Sequence, residues 1–323
     1  DRMRPVDATL LRRMTSALAH RGPDDERIVV KNGIGLGVRR LAVIDLEGGS
    51  QPICNEDGSV WVAYNGEIYN FLDLREQLLG RGHTLKTRSD TEVIVHLYEE
   101  LGTDFLHKLH GMFAMALWDG GNERLVLARD RLGKKPLVYA LLPEGLAFAS
   151  ELGGLLVDPA VDRTVDLEAL DAYLRCQAIP SPRTIYRAVR KLPPGHVLVW
   201  EKGALRVERY WSLRFTPKTG EPAPEIRRHI RRVLEESVKL RLVSDVPVGV
   251  LLSGGIDSTT VAALAARHLS RPVQTFSVGF EEAGYSELPQ ARQMAELIGA
   301  DHHEAMVKLD VAEVLPMLAR HYG

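Results

Sequence analysis

The run VGVLLSGGIDS at residues 248–258 limits the fold of this chain more than any other stretch. An apolar segment with the character of a buried strand ends in Ser253-Gly254-Gly255, and a helix-like run begins at once, so the chain must pass abruptly from strand to helix. Paired glycines let the main chain approach a ligand closely, and the amides that open a helix attract anions. Ser253 and Ser258 add hydroxyl donors, and Asp257 adds a carboxylate suited to magnesium, so a polyphosphate is the natural guest. A Gly-Gly pair alone would read as an ordinary turn. No lysine follows in a Gly-Lys-Ser/Thr arrangement, which excludes a Walker A loop.

Around this loop, strands at 246–252 and 273–278 alternate with helices at 258–268 and 286–298, which predicts an α/β domain with a doubly wound parallel sheet. The upstream sequence has a different rhythm. A helix opens at Asp7, with Leu10, Leu11, Met14 and Leu18 on one face, and ends before residue 20. Strands are expected within 27–45 and 59–69, helices over 71–79 and 90–101, and a further helix over 166–176. The second of these opens on Ser-Asp-Thr-Glu, a capping pattern. Hairpins are expected over 112–129, 137–149 and 197–211. At 323 residues the chain exceeds what one core usually organises. The string TPKTGEPAP at 216–224 has a linker's composition, so we expect a first domain over 1–215, a linker at 216–225 and a second domain over 226–323. In the second, Ile226, Ile230, Val233, Leu234 and Val238 share one helical face and are expected in the core.

A formal net charge of -2 gives no basic field to gather nucleic acid or an anionic membrane, so small molecules are the expected partners. Two cysteines, Cys54 and Cys176, build no disulfide framework, and with no secretion signal or membrane-length apolar run a cytoplasmic location is expected. The chain opens on Asp1 without a methionine and stops at Gly323, so we expect a fragment of a longer protein.

Four N-terminal strings stand out: HRGPD at 20–24, RRLAVID at 39–45, YNGEIYN at 64–70 and RSDTEVI at 88–94. Arg40 offers a planar fork for an α-carboxylate, and Glu67 and Asp90 offer charges for an α-ammonium, the equipment of an amino-acid site. Asn65 and Gly66, read as lying where a strand turns, offer a side-chain amide and a backbone N–H for an oxyanion hole. Each has a bland alternative: Asn-Gly as a hairpin turn, Arg40 paired with Asp45 on the surface, Asp90 as a helix cap.

Taken together, these strings resemble the glutaminase domain of class-II amidotransferases. SGGIDS resembles the pyrophosphate loop of the ATP-pyrophosphatase group. The combination resembles the glutamine-dependent asparagine synthetase family over nearly the whole chain, with GMFAMALWD at 111–119, ARDRLGKKPL at 128–137, ASEL at 149–152 and KLPPGH at 191–196 as further matching strings. The resemblance implies an α+β N-terminal-nucleophile-hydrolase sandwich followed by the α/β ATP-binding domain. It implies a glutamine site at Arg40, Leu41, Val43, Asn65, Gly66, Glu67 and Asp90. It places ATP at Leu252, Ser253, Gly254, Gly255, Asp257, Ser258 and Val278, with Mg2+ on Asp257. It also implies aspartate as acceptor, asparagine, AMP, pyrophosphate and glutamate as products, an ammonia tunnel and a homodimer.

The family's nucleophile is a cysteine at the very N-terminus, a couple of dozen residues before His20. No cysteine stands there, and neither Cys54 nor Cys176 takes the role, so the fragment itself is expected to be inactive. Other readings are an amidotransferase acting on another carboxylate, such as a cell-envelope polysaccharide sugar, a non-catalytic relative that binds glutamine or ATP, and a β-lactam synthetase-like cyclase. Among isolated features, His302-His303 reads as surface rather than metal pair, Lys134-Lys135 as a solvated turn, and Asp245 as a polar strand entry.

Overall fold

In a computed structural model of the protein, which describes residues 6–31, 33–143, 145–281, 286–308 and 311–322, the chain divides into two compact units between Arg214 and Phe215. The first contains α1 (Ala8–Ser16), β1 (Asp25–Lys31), β2 (Ile34–Arg40), β3 (Ile53–Cys54), β4 (Val60–Ile68), α2 (Phe71–Gly80), α3 (Glu92–Leu101), β5 (Gly111–Asp119) and β6 (Arg124–Arg129). It continues with β7 (Val138–Leu142), β8 (Gly145–Ala149), α4 (Leu152–Leu155), α5 (Leu167–Cys176), β9 (Val189–Lys191), β10 (His196–Glu201) and β11 (Ala204–Arg209).

Alternation along β4 and β5 sorts the apolar side chains into two cores. Val62, Tyr64, Met115 and Leu117 face α2 and α3, where they meet Leu74, Leu78, Val93 and Leu97. Ala63, Ala114, Ala116 and Trp118 face the other way, onto Leu36 of β2 and Leu137 beside β7. The small residues of that second set let the smaller sheets come close. The six-stranded sheet β11-β10-β6-β5-β4-β3 is antiparallel throughout and lies against the smaller sheets β1-β2 and β8-β7-β9. A third core joins Val138 and Ala140 of β7 to Met14 of α1 and Leu155 of α4. The unit is thus an α/β/β/α sandwich, as expected. Asp7 caps α1 through its side chain, accepting from the amides of Thr9 and Leu10.

Three local expectations change. The strands expected within 27–45 end at Arg40, where the Arg40 guanidinium turns to bind the carbonyls of the loop that follows. Asn65-Gly66 is no turn: both residues lie inside β4, in register with Ala114 and Phe113 of β5. Glycine is required there because a Cβ on residue 66 would sit 2.2 Å from the Met112 carbonyl oxygen and 2.8 Å from Phe113 Cα. Gly66→Ala is therefore expected to destabilise the protein by about 1–3 kcal/mol through forced separation of β4 from β5, read by denaturant unfolding. Finally, Thr91 at the start of α3 makes no side-chain cap, and Asp90 is turned elsewhere.

The second unit holds α6 (Ala223–Leu240), β12 (Gly249–Leu251), α7 (Ile256–Ala266), β13 (Gln274–Phe280), α8 (Leu288–Ile298), β14 (Asp301–Val307) and, as far as Ala319, α9 (Val311–Tyr322). β12, β13 and β14 form a parallel sheet in that order, with α7 and α8 packed on one face through Leu252, Ala262, Ala291 and Ala295. The apolar stripe of α6 is not the core expected of it. Val238 is buried, but Ile230, Val233 and Leu234 are 52%, 45% and 43% exposed, because only the C-terminal end of α6 reaches the small cluster around Leu264 and Val273. His302 and His303 point to opposite faces of β14, the first bonded to Thr275 Oγ1 at 2.8 Å and the second stacked on Phe276. No helix among the described residues is long and apolar enough to cross a membrane.

Candidate active site

The four N-terminal strings form one structure. Gly22 lets HRGPD lie against RRLAVID, since a Cβ there would meet the Arg39 carbonyl carbon at 2.3 Å. Arg39 Nε donates to Gly22 O, and Asp24 Oδ2 accepts from the Ala42 amide at 2.8 Å. Asp45 Oδ2 accepts from the Arg88 amide, which joins RRLAVID to RSDTEVI. His20 Nε2 lies 2.9 Å from Glu151 Oε2 and Arg21 donates to Oε1 of the same carboxylate, so ASEL is tied in as well.

These contacts wall a cavity of about 760 Å³ in the first unit. All seven residues expected to hold glutamine line it: Arg40, Leu41, Val43, Asn65, Gly66, Glu67 and Asp90. At the other end the wall is apolar, formed by α1, by β2 and by β8, over a floor of Ala63, Ala114 and Ala116. Neither Cys54 nor Cys176 is in the lining.

The strand geometry of β4 decides what Gly66 can do. Its Tyr64 amide donates to Gln51 Oε1 and its Ile68 amide to Asp90 Oδ2, both at 2.8 Å. Alternate amides of a strand point to the same edge, so the Gly66 N–H points there too, away from β5. β3 covers that edge only opposite Trp61 and Val62, which leaves the Gly66 N–H beside the cavity. The side-chain amide of the neighbouring Asn65 makes no hydrogen bond among the described residues. Both residues line the same cavity.

The charges around them are set by burial. Asp90 is buried and its carboxyl is pushed up by desolvation, offset by hydrogen bonds from the Ile68 amide, Tyr64, Ser89 and Thr91. Glu67 is half-buried and is raised to about 7, first by desolvation and then by the Asp90 charge, against Lys135 and Arg40. Arg40 keeps its place differently from the expectation. Nη2 donates to the carbonyls of Ile44 and Asp45, both at 2.8 Å, and Nη1 to Leu46 at 3.2 Å. Its fork is engaged by backbone, so it holds loop 44–46 at the rim while contributing its charge to the cavity.

Lys135, read from sequence as part of a solvated turn, is a cavity residue. The buried Asp130 carboxylate accepts the Leu132, Lys134 and Lys135 amides and folds RLGKK back on itself, while Lys134 stays exposed. Burial pulls the Lys135 pKa down and the Glu67 charge opposes this. Nothing in RLGKKPL alone marks which lysine turns inward; the Asp two residues before Leu132 was the available signal.

In the second unit, Ser253, Gly254 and Gly255 link β12 to α7. Gly254 has φ of 78°, and a Cβ on it would lie 2.7 Å from the Ala291 amide, so both conformation and space demand glycine. Ser258 Oγ lies 3.0 Å from Ser253 Oγ and accepts from the Ser253 amide, which closes the loop on the first turn of α7. Asp257 is exposed in that turn. Leu252 is different: its side chain is buried, its amide donates to Phe276 O and its carbonyl accepts from Ser277 Oγ. Val278, by contrast, is 50% exposed near the end of β13.

A family model described as glutamine amidotransferase domain matches residues 2–211, and one described as asparagine synthase matches residues 229–323. The glutamine-hydrolyzing asparagine synthetase 1 of Bacillus subtilis (strain 168) is 36% identical over 315 residues, covering 97% of this chain and 49% of its own. The glutamine-hydrolyzing asparagine synthetase 2 of Arabidopsis thaliana is 36% identical over 301 residues, covering 90% of this chain and 46% of its own. The chain spans about half the length of the curated relatives it matches. A solved glutamine phosphoribosylpyrophosphate amidotransferase from B. subtilis, in complex with ADP and GMP, covers 89% of this chain at a TM-score of 0.43 and 20% identity. With the matched segment spanning the sandwich and its cavity, the chain belongs to the glutamine amidotransferase domain family, followed by a segment that matches the asparagine synthase family.

Proposed function

We propose that this chain carries the glutamine site and the nucleotide loop of a glutamine-hydrolysing asparagine synthetase. The observation that carries the reading is the Gly66 N–H and Asn65 amide standing side by side beside a cavity that also gathers Arg40, Glu67 and Asp90. Glutamine's α-ammonium would face Glu67 and Asp90, its α-carboxylate the Arg40 rim, and its side-chain carbonyl the two donors. Hydrolysis then yields glutamate and ammonia, with the developing oxyanion held by Asn65 and Gly66.

In the second unit, ATP phosphates would lie against the amides of loop 253–255 and the N-terminus of α7, with Ser253 and Ser258 donating. Val278 would flank the adenosine, and Leu252 would act by shaping the loop, since its backbone groups are engaged. Asp257, exposed in the first turn, suits a hard cation, and Mg2+ there would neutralise the leaving pyrophosphate. The aspartate side-chain carboxylate attacks the α-phosphorus and pyrophosphate leaves. Ammonia then adds to the activated carbonyl and AMP departs, giving asparagine. Gly254→Ala is expected to weaken ATP binding by at least about tenfold in equilibrium dialysis, because the alanine strains the loop at positive φ.

Glu67 supplies a test of the amino-acid site. With its pKa at about 7, it is protonated below that pH and cannot pair with an ammonium. Glutamine affinity of the chain is therefore expected to strengthen as pH rises from about 6 to 8, with a proton released on binding at the acid end. Isothermal calorimetry on the wild type and Glu67→Gln checks it. Loss of the pH slope in the variant supports the assignment; an unchanged slope, or no glutamine binding at any pH, contradicts it.

A further inference from the structure

On the helical side of the large sheet, away from the cavity, three segments bring Glu56, His83, His96 and Glu99 together, with one ligand atom from each lying within 4.8 Å of the others. Glu56 comes from the turn between β3 and β4, His83 from the chain after α2, and His96 and Glu99 from successive turns of α3. His96 is fully buried, yet neither of its ring nitrogens makes a hydrogen bond. A buried imidazole with no hydrogen bond carries a desolvation cost that something must offset.

The distances suggest what does. His96 Nδ1 lies 3.2 Å from Glu56 Oε2 and 3.3 Å from Glu99 Oε2, while His83 Nδ1 lies 3.2 Å from the other Glu56 oxygen, Oε1, which also accepts from the Thr84 amide. Ligands bound to zinc at about 2.0–2.1 Å in a tetrahedron stand about 3.3 Å apart. The surroundings are built in the same sense. Asn55 Nδ2 donates to Glu99 Oε1 at 2.8 Å, which leaves Oε2 for the cluster. Behind His96, Glu92 Oε1 lies 3.8 Å from Nε2, and its carboxylate is itself fixed by the Lys86 and Thr87 amides. At that distance the carboxylate makes no hydrogen bond to the imidazole, but it puts a negative charge behind it.

We propose that Glu56, His83, His96 and Glu99 form a structural site for a divalent transition-metal ion of the zinc class. Two imidazoles and two carboxylates suit zinc over magnesium or calcium, which take oxygen ligands. The ion would pin the turn at Glu56 and the segment from His83 onward to α3. That segment leads directly into Asp90. The site stands independently of the glutamine and ATP assignments, since none of its ligands lines the cavity. The competing occupant is a proton on His96 shared among the carboxylates.

The test uses the untagged chain, stripped with chelator and titrated with zinc, then with cobalt(II) as a coloured probe. Expected are one tightly held zinc per chain by elemental analysis, the intense visible absorption of tetrahedral cobalt, and a thermal midpoint several degrees higher with zinc than without. His83→Gln and Glu99→Gln, whose side chains are 17% and 30% exposed and so need not disturb the core, are expected to lose all three. Failure to retain zinc, or equal zinc content and thermal shift in both variants, overturns the proposal in favour of the proton.

Discussion

Asn65→Ala is expected to lower the turnover of glutamine hydrolysis by about 10²–10³-fold, or about 2.7–4 kcal/mol of transition-state stabilisation, with little change in KM. The reason is where Asn65 stands. Its amide lies at the cavity wall next to the Gly66 N–H and makes no hydrogen bond among the described residues, so it is available to the oxyanion that forms only as the amide is attacked. A donor used mainly in the transition state changes kcat rather than substrate affinity. The rate is measured as glutamate release by the full-length protein. A loss confined to KM would make Asn65 a binding residue instead.

Asp130→Ala is expected to destabilise the first unit by about 3–5 kcal/mol. The carboxylate is 2% exposed and accepts four backbone amides, from Phe113, Leu132, Lys134 and Lys135, at 3.0–3.1 Å. Alanine leaves those amides without their acceptor, and the first of them belongs to β5 at the centre of the large sheet. Next door, Arg129 donates to the carbonyls of Gly133, Lys135 and Leu192, so the same turn also anchors the chain after β9. Guanidinium unfolding reads the loss. A change under about 1 kcal/mol would mean that water replaces the carboxylate at little cost. The same variant is expected to move Lys135 out of the cavity and lower the pKa of Glu67 less effectively.

Much of the site was legible because its residues cluster in short strings. HRGPD precedes β1, RRLAVID leaves β2, YNGEIYN closes β4 and RSDTEVI opens α3, and hydrogen bonds between these loops and strand ends bring their side chains together. The alternation Val60, Val62, Tyr64 continues through Gly66 and Ile68, a sign that Asn65-Gly66 stays in the strand; the strong turn preference of Asn-Gly hid it. The engagement of Arg40 by the carbonyls of Ile44, Asp45 and Leu46 had no signal, because loop conformation is not written in residue type. Lys135 differs: Asp130, ahead of the lysine pair, is the residue whose backbone contacts turn it inward, and it stood in the sequence as a signal.

The cluster of Glu56, His83, His96 and Glu99 escaped notice because its members come from three separate segments, and only the spacing of His96 and Glu99 along α3 hinted at it. In the second unit the loop was legible down to its glycines, since Gly254 is fixed by both φ and space. The α6 stripe misled because an apolar helical face shows amphipathicity without naming what it packs against.

The most direct measurement is a single assay of the complete gene product with magnesium, ATP, glutamine and aspartate, following pyrophosphate, glutamate and asparagine together. Asparagine rising in step with pyrophosphate, fed by glutamate-yielding hydrolysis, is the expected result. Glutamate without asparagine would contradict the choice of aspartate as acceptor, and the absence of all three products would contradict the proposed function outright.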